Sequence, residues 1–156
     1  PYKFELGGVD HEGCAGVLGL RNYLANLAGS SDGEALDRPA VERAFDVMTA
    51  CELPCQAALI EYLRSRPDVR IVGPTEDGPS RVGTVSFLHS ELSSRAITEV
   101  VDRSDIAIRH GHMYAYRLWQ ALGLDPDDGV VRVSLVHYNT PEEFARLFEV
   151  LEAALD

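Results

Sequence analysis

The chain has 156 residues, 46% of them apolar, and a formal net charge of -11 from 25 acidic against 14 basic residues. That is enough chain and apolar content to bury one core, which excludes disorder throughout. The negative charge and the scattered basic residues argue against nucleic acid and anionic membrane surfaces as partners. No apolar run approaches a membrane span, and nothing at the first residues has the pattern of a signal peptide. Three cysteines, Cys14, Cys51 and Cys55, are an odd number in a chain without export signals. A cytoplasmic protein with free thiols is the expectation.

Along the chain, a turn at Gly7-Gly8 leads into a helix from about Glu12 to Leu27. Its Val17, Leu20, Leu24 and Leu27 share one face, and the run Gly29-Ser-Ser-Asp-Gly33 stops it. Gly13, Gly16 and Gly19 permit close backbone contact along it while weakening it relative to alanine. The apolar face is expected to stand exposed in this chain. A second helix is predicted from roughly Pro39 to Arg66, with Val41, Ala44, Phe45, Met48, Cys51, Cys55, Leu59, Tyr62 and Leu63 at helical spacing. Pro54 removes a backbone donor and clashes with the preceding turn, so a kink is expected between Ala50 and Pro54. Cys51 and Cys55 lie one turn apart, a spacing open to a shared metal. No second Cys or His pair matches it, so buried core thiols are the reading taken.

Beyond Pro67 the pattern changes to short β runs, Val69 to Val72 and Arg81 to Leu88, separated by the turn Gly73-Pro-Thr-Glu-Asp-Gly-Pro79. A helix begins at Ser93 or Ser94 and ends near Arg103, followed by a strand over Ile106 to Arg109. A helix from Tyr114 to Leu122 is closed by Gly123, and Val130 to Val136 forms the last strand. Thr140-Pro-Glu-Glu143 supplies a cap, a first-turn proline and a capping glutamate for the final helix. Phe144, Leu147, Phe148, Leu151 and Leu155 make its buried stripe. From about residue 68 the order ββαβαβα predicts a two-layer α+β domain, a small sheet with helices on one face.

Two segments carry candidate chemistry. Ile106-Ala-Ile-Arg-His-Gly-His-Met-Tyr-Ala115 and Arg132-Val-Ser-Leu-Val-His-Tyr-Asn-Thr-Pro-Glu-Glu143 each place an arginine at an apolar β run. A guanidinium fork holds a carboxylate by two parallel hydrogen bonds. Arg132 read in isolation is equally an arginine on the solvent face of an edge strand, and Arg109 is equally a partner for a nearby carboxylate. His112 is either a proton shuttle, since imidazole titrates near neutrality, or a helix cap.

The first segment resembles an Ile-x-x-Arg-x-Gly-His-His-Cys-Ala signature, and the second resembles Arg-x-Ser-x-x-x-Tyr-Asn-Thr-x-Glu-Glu at nearly every position. Phe4-Glu-Leu-Gly-Gly8 is similar to a Phe-Glu-x-Gly-Thr segment, and Glu52-Leu53 and Gly83-Thr-Val-Ser-Phe87 fall in order between them. Together they resemble the last third of the class V aminotransferase and cysteine desulfurase family of pyridoxal-phosphate enzymes, most like the desulfurase-like branch with His-Glu-Gly, here His11-Glu12-Gly13, after the turn.

The resemblance implies a small α+β domain of the fold-type I pyridoxal-phosphate transferase type, preceded by helices that pack on a large domain. Residues 1–38 would be the tail of the large-domain segment and residues 39–156 the C-terminal small domain. The chain begins at Pro1, within the family pattern, and is expected to be part of a longer protein. The intact chain would be a transferase or lyase acting on an amino acid, with pyridoxal phosphate as electron sink, and this part alone would be inactive. The family's cofactor-linking lysine lies well upstream of the Gly-Gly turn, whereas the only lysine here, Lys3, directly precedes it.

By the same resemblance, Arg132 would bind the substrate α-carboxylate and Arg109 would line its channel, and His112 is counted with them as a candidate substrate-binding residue. Gly7 and Gly8 would meet the cofactor phosphate of the partner subunit in a homodimer. Gly8 replaces the family's threonine, so only backbone N–H groups remain there for an anion, and a plain turn is the other reading. Tyr114, preceded by Met113, replaces the sulfur-accepting cysteine. A phenol of ordinary pKa near 10 does not take up sulfur as a thiolate does, so no catalytic residue is assigned in this chain. These losses are also compatible with a non-catalytic carboxylate-binding or interaction module derived from the same fold.

Two outcomes are expected. The 156-residue chain alone takes up no pyridoxal phosphate covalently; borohydride-fixed label recovered on Lys3 would overturn this. The intact protein releases no sulfide from cysteine through a thiol, which is checked by mapping any persulfide to Cys14, Cys51 or Cys55.

Overall fold

The computed structural model describes residues 7–30 and 36–156. Lys3, the Phe4-Glu-Leu6 part of the first motif and residues 31–33 of the Gly29 to Gly33 stop lie outside them. The chain divides into two compact units, one ending at Met48 and one spanning Thr49–Asp156.

In the first unit, helix α1 spans His11–Leu27, and Asp10 caps it by accepting from the Gly13 N–H. Leu27 precedes a left-handed Gly29, where the N–H groups of Gly29 and Ser30 satisfy the carbonyls of Asn26 and Ala25. None of its residues is fully buried; of the predicted face Val17 and Leu20 are exposed, whereas Leu24 and Leu27 are half-buried. Helix α2 spans Arg38–Ser65 and crosses the boundary between the units. It runs through Pro54 as one element. A proline costs one backbone donor, and the 11 residues beyond it, up to Ser65, still complete the helix.

The second unit adds strands β1 (Val69–Val72) and β2 (Thr84–His89), helix α3 (Ser94–Asp102), strand β3 (Arg109–Gly111), helix α4 (Tyr116–Ala121), strand β4 (Val130–Ser134) and helix α5 (Pro141–Leu155). The four strands form one antiparallel sheet in the order β1-β2-β4-β3. It is an α+β domain, in the predicted element order. Alternation along the strands sends Val85, Phe87, Val131 and Val133 to one face, where they join Leu59 and Leu63 of α2, Ile97 and Val101 of α3, and Phe144, Leu147 and Leu151 of α5 in a single core. Burying each of these side chains is worth about 1.5–3 kcal/mol.

The α2 pattern needs correction at two positions. Cys55 is buried, but Cys51 and Phe45 are exposed, because the core of the second unit begins on this helix at Cys55. Burial pushes the Cys55 thiol up, with Glu143 and Glu142 adding to it. No cluster of metal-ligating side chains forms among the described residues.

Several boundaries also move, among them the end of β4, at Ser134 rather than Val136. β2 starts at Thr84 rather than Arg81, since Arg81 turns its fork onto the carbonyls of Pro74, Glu76 and Thr84 and closes the preceding loop. The same loop is held by the buried Gln56, which accepts from Gly78 N–H. β3 occupies Arg109–Gly111 instead of Ile106 to Arg109, because only that stretch pairs with β4. α4 begins at Tyr116, past two residues in left-handed conformation, Met113 and Tyr114.

The cap of α5 forms as predicted. Thr140 accepts from the Glu143 N–H at 3.2 Å and the Glu143 carboxylate accepts from Thr140 N–H at 2.9 Å. Asn139 donates to the same carboxylate, and these bonds, the Asn139 one foremost, hold the Glu143 carboxyl below its ordinary value. Thr140→Ala is expected to cost ~1 kcal/mol, a fall of about 2–4 °C in Tm. Because the folded-state value of Glu143 is lowered, its contribution is complete above the ordinary carboxylate range and is lost as pH falls through that range. Melting curves of the protein and of Glu143→Gln across acid pH check it: the two should converge as pH falls.

Candidate arginine site on the open face of the sheet

The sheet face opposite the core carries a row set by strand register. Val72 of β1 lies beside Ser86 of β2, Ser86 beside Arg132 of β4, and Arg132 beside Arg109 of β3. Directly opposed residues share a face and have Cβ atoms about 4.5–5.5 Å apart. Arg132 is therefore flanked by a hydroxyl on one side and a second guanidinium on the other. Sequence reasoning placed both arginines but not Ser86. Its signal is the alternation in Thr84-Val-Ser-Phe87, where Val85 and Phe87 face the core and Ser86 must face away.

Like charges directly opposed across a strand pair are destabilising unless an anion or a carboxylate answers them. Neither arginine forms an ion pair with a carboxylate among the described residues. Arg109 is exposed and Arg132 is half-buried. The Nε of Arg132 is shielded from solvent and has no hydrogen-bond partner among the described residues. A buried N–H left without an acceptor costs about 1–3 kcal/mol, more when charged. The arrangement is thus complementary to a small carboxylate, which a guanidinium takes through two N–H groups.

His112 lies just beyond β3. Its Nδ1 accepts from the Tyr114 N–H at 3.1 Å, and its carbonyl accepts from the Ala115 N–H at 2.8 Å and from Nε1 of the buried Trp119 at 2.7 Å. The ring stands edge-on to Tyr114 and Tyr116. It ties the loop together without capping α4, whose first flanking residue, Ala115, makes no side-chain cap. Gly7 and Gly8 belong to the first unit; both are exposed, with open space around them.

The matched residues after Arg132 have a separate task. Asn139 accepts from the Val136 N–H at 2.9 Å, and with Thr140 and Glu143 it builds the α5 cap. Tyr138 is exposed and stacks edge-on with His137. A cavity of about 250 Å³ lies on the helix side, lined by Ile106, Ile108, Val133, Phe144 and Leu147. On its polar rim Glu143 is committed to the cap and Arg146 to the Ser104 carbonyl.

Comparison with known proteins follows the same lines. A family model described as aminotransferase class-V matches residues 33–147. An aminotransferase-like protein of Gibberella zeae is 44% identical over 156 residues, covering 98% of this chain and 35% of that protein. A probable cysteine desulfurase of Pseudomonas putida is 31% identical over 156 residues, covering 100% of this chain and 33% of that protein. The crystal structure of the cysteine desulfurase CsdA from Escherichia coli superposes with a TM-score of 0.68 at 23% identity, over 99% of this chain and 33% of that one, and shows the shared fold. The chain spans about a third of the length of the curated relatives it matches. Taken with the sheet and its paired arginines, the family match over residues 33–147 settles the assignment: this chain belongs to the class V aminotransferase family.

Proposed function

We propose that this chain is the substrate-carboxylate-holding part of a pyridoxal-phosphate-dependent enzyme that acts on an amino acid. The observation that carries the reading is the strand register that sets half-buried Arg132 between Ser86 and a second arginine, neither guanidinium paired with a carboxylate among the described residues. Arg132 takes the α-carboxylate through its fork. Arg109 adds positive potential from the next strand, and His112 holds the loop at the end of that strand.

Members of the family use pyridoxal phosphate. The described residues do not by themselves make a cradle for it. They contain no lysine, and Gly7 and Gly8 stand in open space within this chain. The cofactor's attachment is accordingly assigned to the rest of the full-length protein, and no chemical step is derived from this chain. The full-length protein is proposed to work as a homodimer in the cytoplasm, with Gly7 and Gly8 at the partner's phosphate. The absence of a thiol at Tyr114 supports a reaction other than desulfuration. The alternative of a non-catalytic carboxylate-binding module rests on the same arginine row.

In the full-length protein, Arg132→Ala should raise the dissociation constant for amino acids roughly 30-fold to 100-fold while leaving cofactor affinity nearly unchanged. Lysine at this position should recover part of the loss, since it keeps the charge and loses the planar fork. Calorimetric titration of the folded variants with amino acids, alongside a cofactor titration, decides the point. Unchanged amino-acid affinity would make the arginine structural.

A further inference from the structure

The loop that joins β3 to α4 holds two consecutive non-glycine residues in left-handed conformation, Met113 at φ 49° and Tyr114 at φ 61°. Such backbone is costly for residues with a Cβ and persists where the surroundings enforce it, often because the side chain is needed there. The surroundings here are explicit. The bonds from Tyr114 N–H, Ala115 N–H and Trp119 Nε1 to His112 fix the turn from the inside. The side chain gains little for the fold in return: Tyr114 is 102% exposed, its ring meets only the edge of His112, and its hydroxyl makes no hydrogen bond within the described residues. A strained, rigid turn that presents a fully solvated phenol is a poor device for stability.

The chemistry around it is of one kind. With Nδ1 of His112 accepting a backbone N–H, the neutral ring carries its proton on Nε2 and offers a donor there. Arg109 on the adjoining strand has no carboxylate partner among the described residues, and the Tyr114 hydroxyl is a further donor. The stretch Arg109 to Tyr114 therefore presents several donors, with the phenol oxygen also able to accept, and no thiol.

We propose that Tyr114 is a specificity-determining residue that donates a hydrogen bond to an oxygen acceptor at the end of the amino-acid substrate's side chain. The rigid turn made by His112 positions it. This rests on the reading of Arg132 as the holder of the α-carboxylate, and it adds the substrate class: amino acids with an oxygen-bearing side chain, favoured over thiol or purely aliphatic ones.

The test uses the full-length protein and calorimetric titration with L-aspartate, L-asparagine, L-cysteine and L-2-aminobutyrate. The protein should bind one or both of the oxygen-bearing amino acids more tightly than the other two. Tyr114→Phe, which keeps the ring, should weaken the preferred one roughly tenfold or more and leave 2-aminobutyrate unchanged. Tyr114→Gly should lose the same preference while melting no lower than the parent, since glycine relieves the left-handed backbone. A preference intact in Tyr114→Phe, with binding still dependent on Arg132, overturns the role of Tyr114 and leaves the arginine reading standing. A clearly lower melting temperature for Tyr114→Gly also overturns it, because the tyrosine would then serve the fold. If the parent binds none of the four, both readings fall.

Discussion

The geometry of the arginine row depends on the backbone contact between Gly111 and Gly129. A Cβ on Gly129 would fall inside the backbone of Gly111, so no other residue lets β3 lie this close to the start of β4. Both glycines also have positive φ, at 113° and 67°. That contact sets the register from which Arg109 comes to oppose Arg132. It also sets where the chain leaves β3, hence where His112 and Tyr114 begin. The far side of the contact is anchored to α3: the Asp128 carboxylate accepts the Ser94 N–H at 2.9 Å, and Ser94 is itself buried. A short strand of three residues could not hold two like charges together through its own ladder. It does so because steric fit and a helix terminus clamp its end.

A division of labour between the two sheet faces follows. The core face is filled by β-branched and aromatic residues that pack on α2, α3 and α5, and every one of those contacts is indifferent to what stands on the other face. The open face can therefore carry a destabilising pair of arginines, one with a shielded and unanswered N–H, at a cost that the core absorbs. The motif that contains Arg132 shows the same division within a dozen residues. Arg132 is available to a ligand, while Asn139, Thr140 and Glu143 are spent on the cap that fixes α5 against the sheet.

The fold was largely legible because its signals are local. The capping box of α5, the glycine after α1, and the alternation in β2 and β4 each follow from a few adjacent residues. The errors arise where partners distant in sequence decide. β3 could not be placed from Ile106-Ala-Ile108, whose apolar character belongs to the core edge, because its extent is set by pairing with β4. Cys51 fits the helical spacing as well as Cys55 does, and only the start of the core separates them. In the site, the arginines were readable from residue type and motif, and Ser86 was hidden because a serine between two apolar residues looks like ordinary strand alternation.

The left-handed pair Met113-Tyr114 was illegible for a deeper reason. Neither residue favours that conformation, so propensity extends α4 back through Tyr114, and the sequence carries no turn residue to oppose it. The turn is held by His112, whose ring accepts the Tyr114 N–H and whose carbonyl accepts the Ala115 N–H and Trp119 Nε1, contacts that no propensity scale registers. A local rule broken without local compensation marks a place where something other than stability shaped the residue choice. Here it falls in the loop that directly follows β3, the strand that carries Arg109. That coincidence of strain, exposure and position gives the loop a claim to function which composition and periodicity do not express.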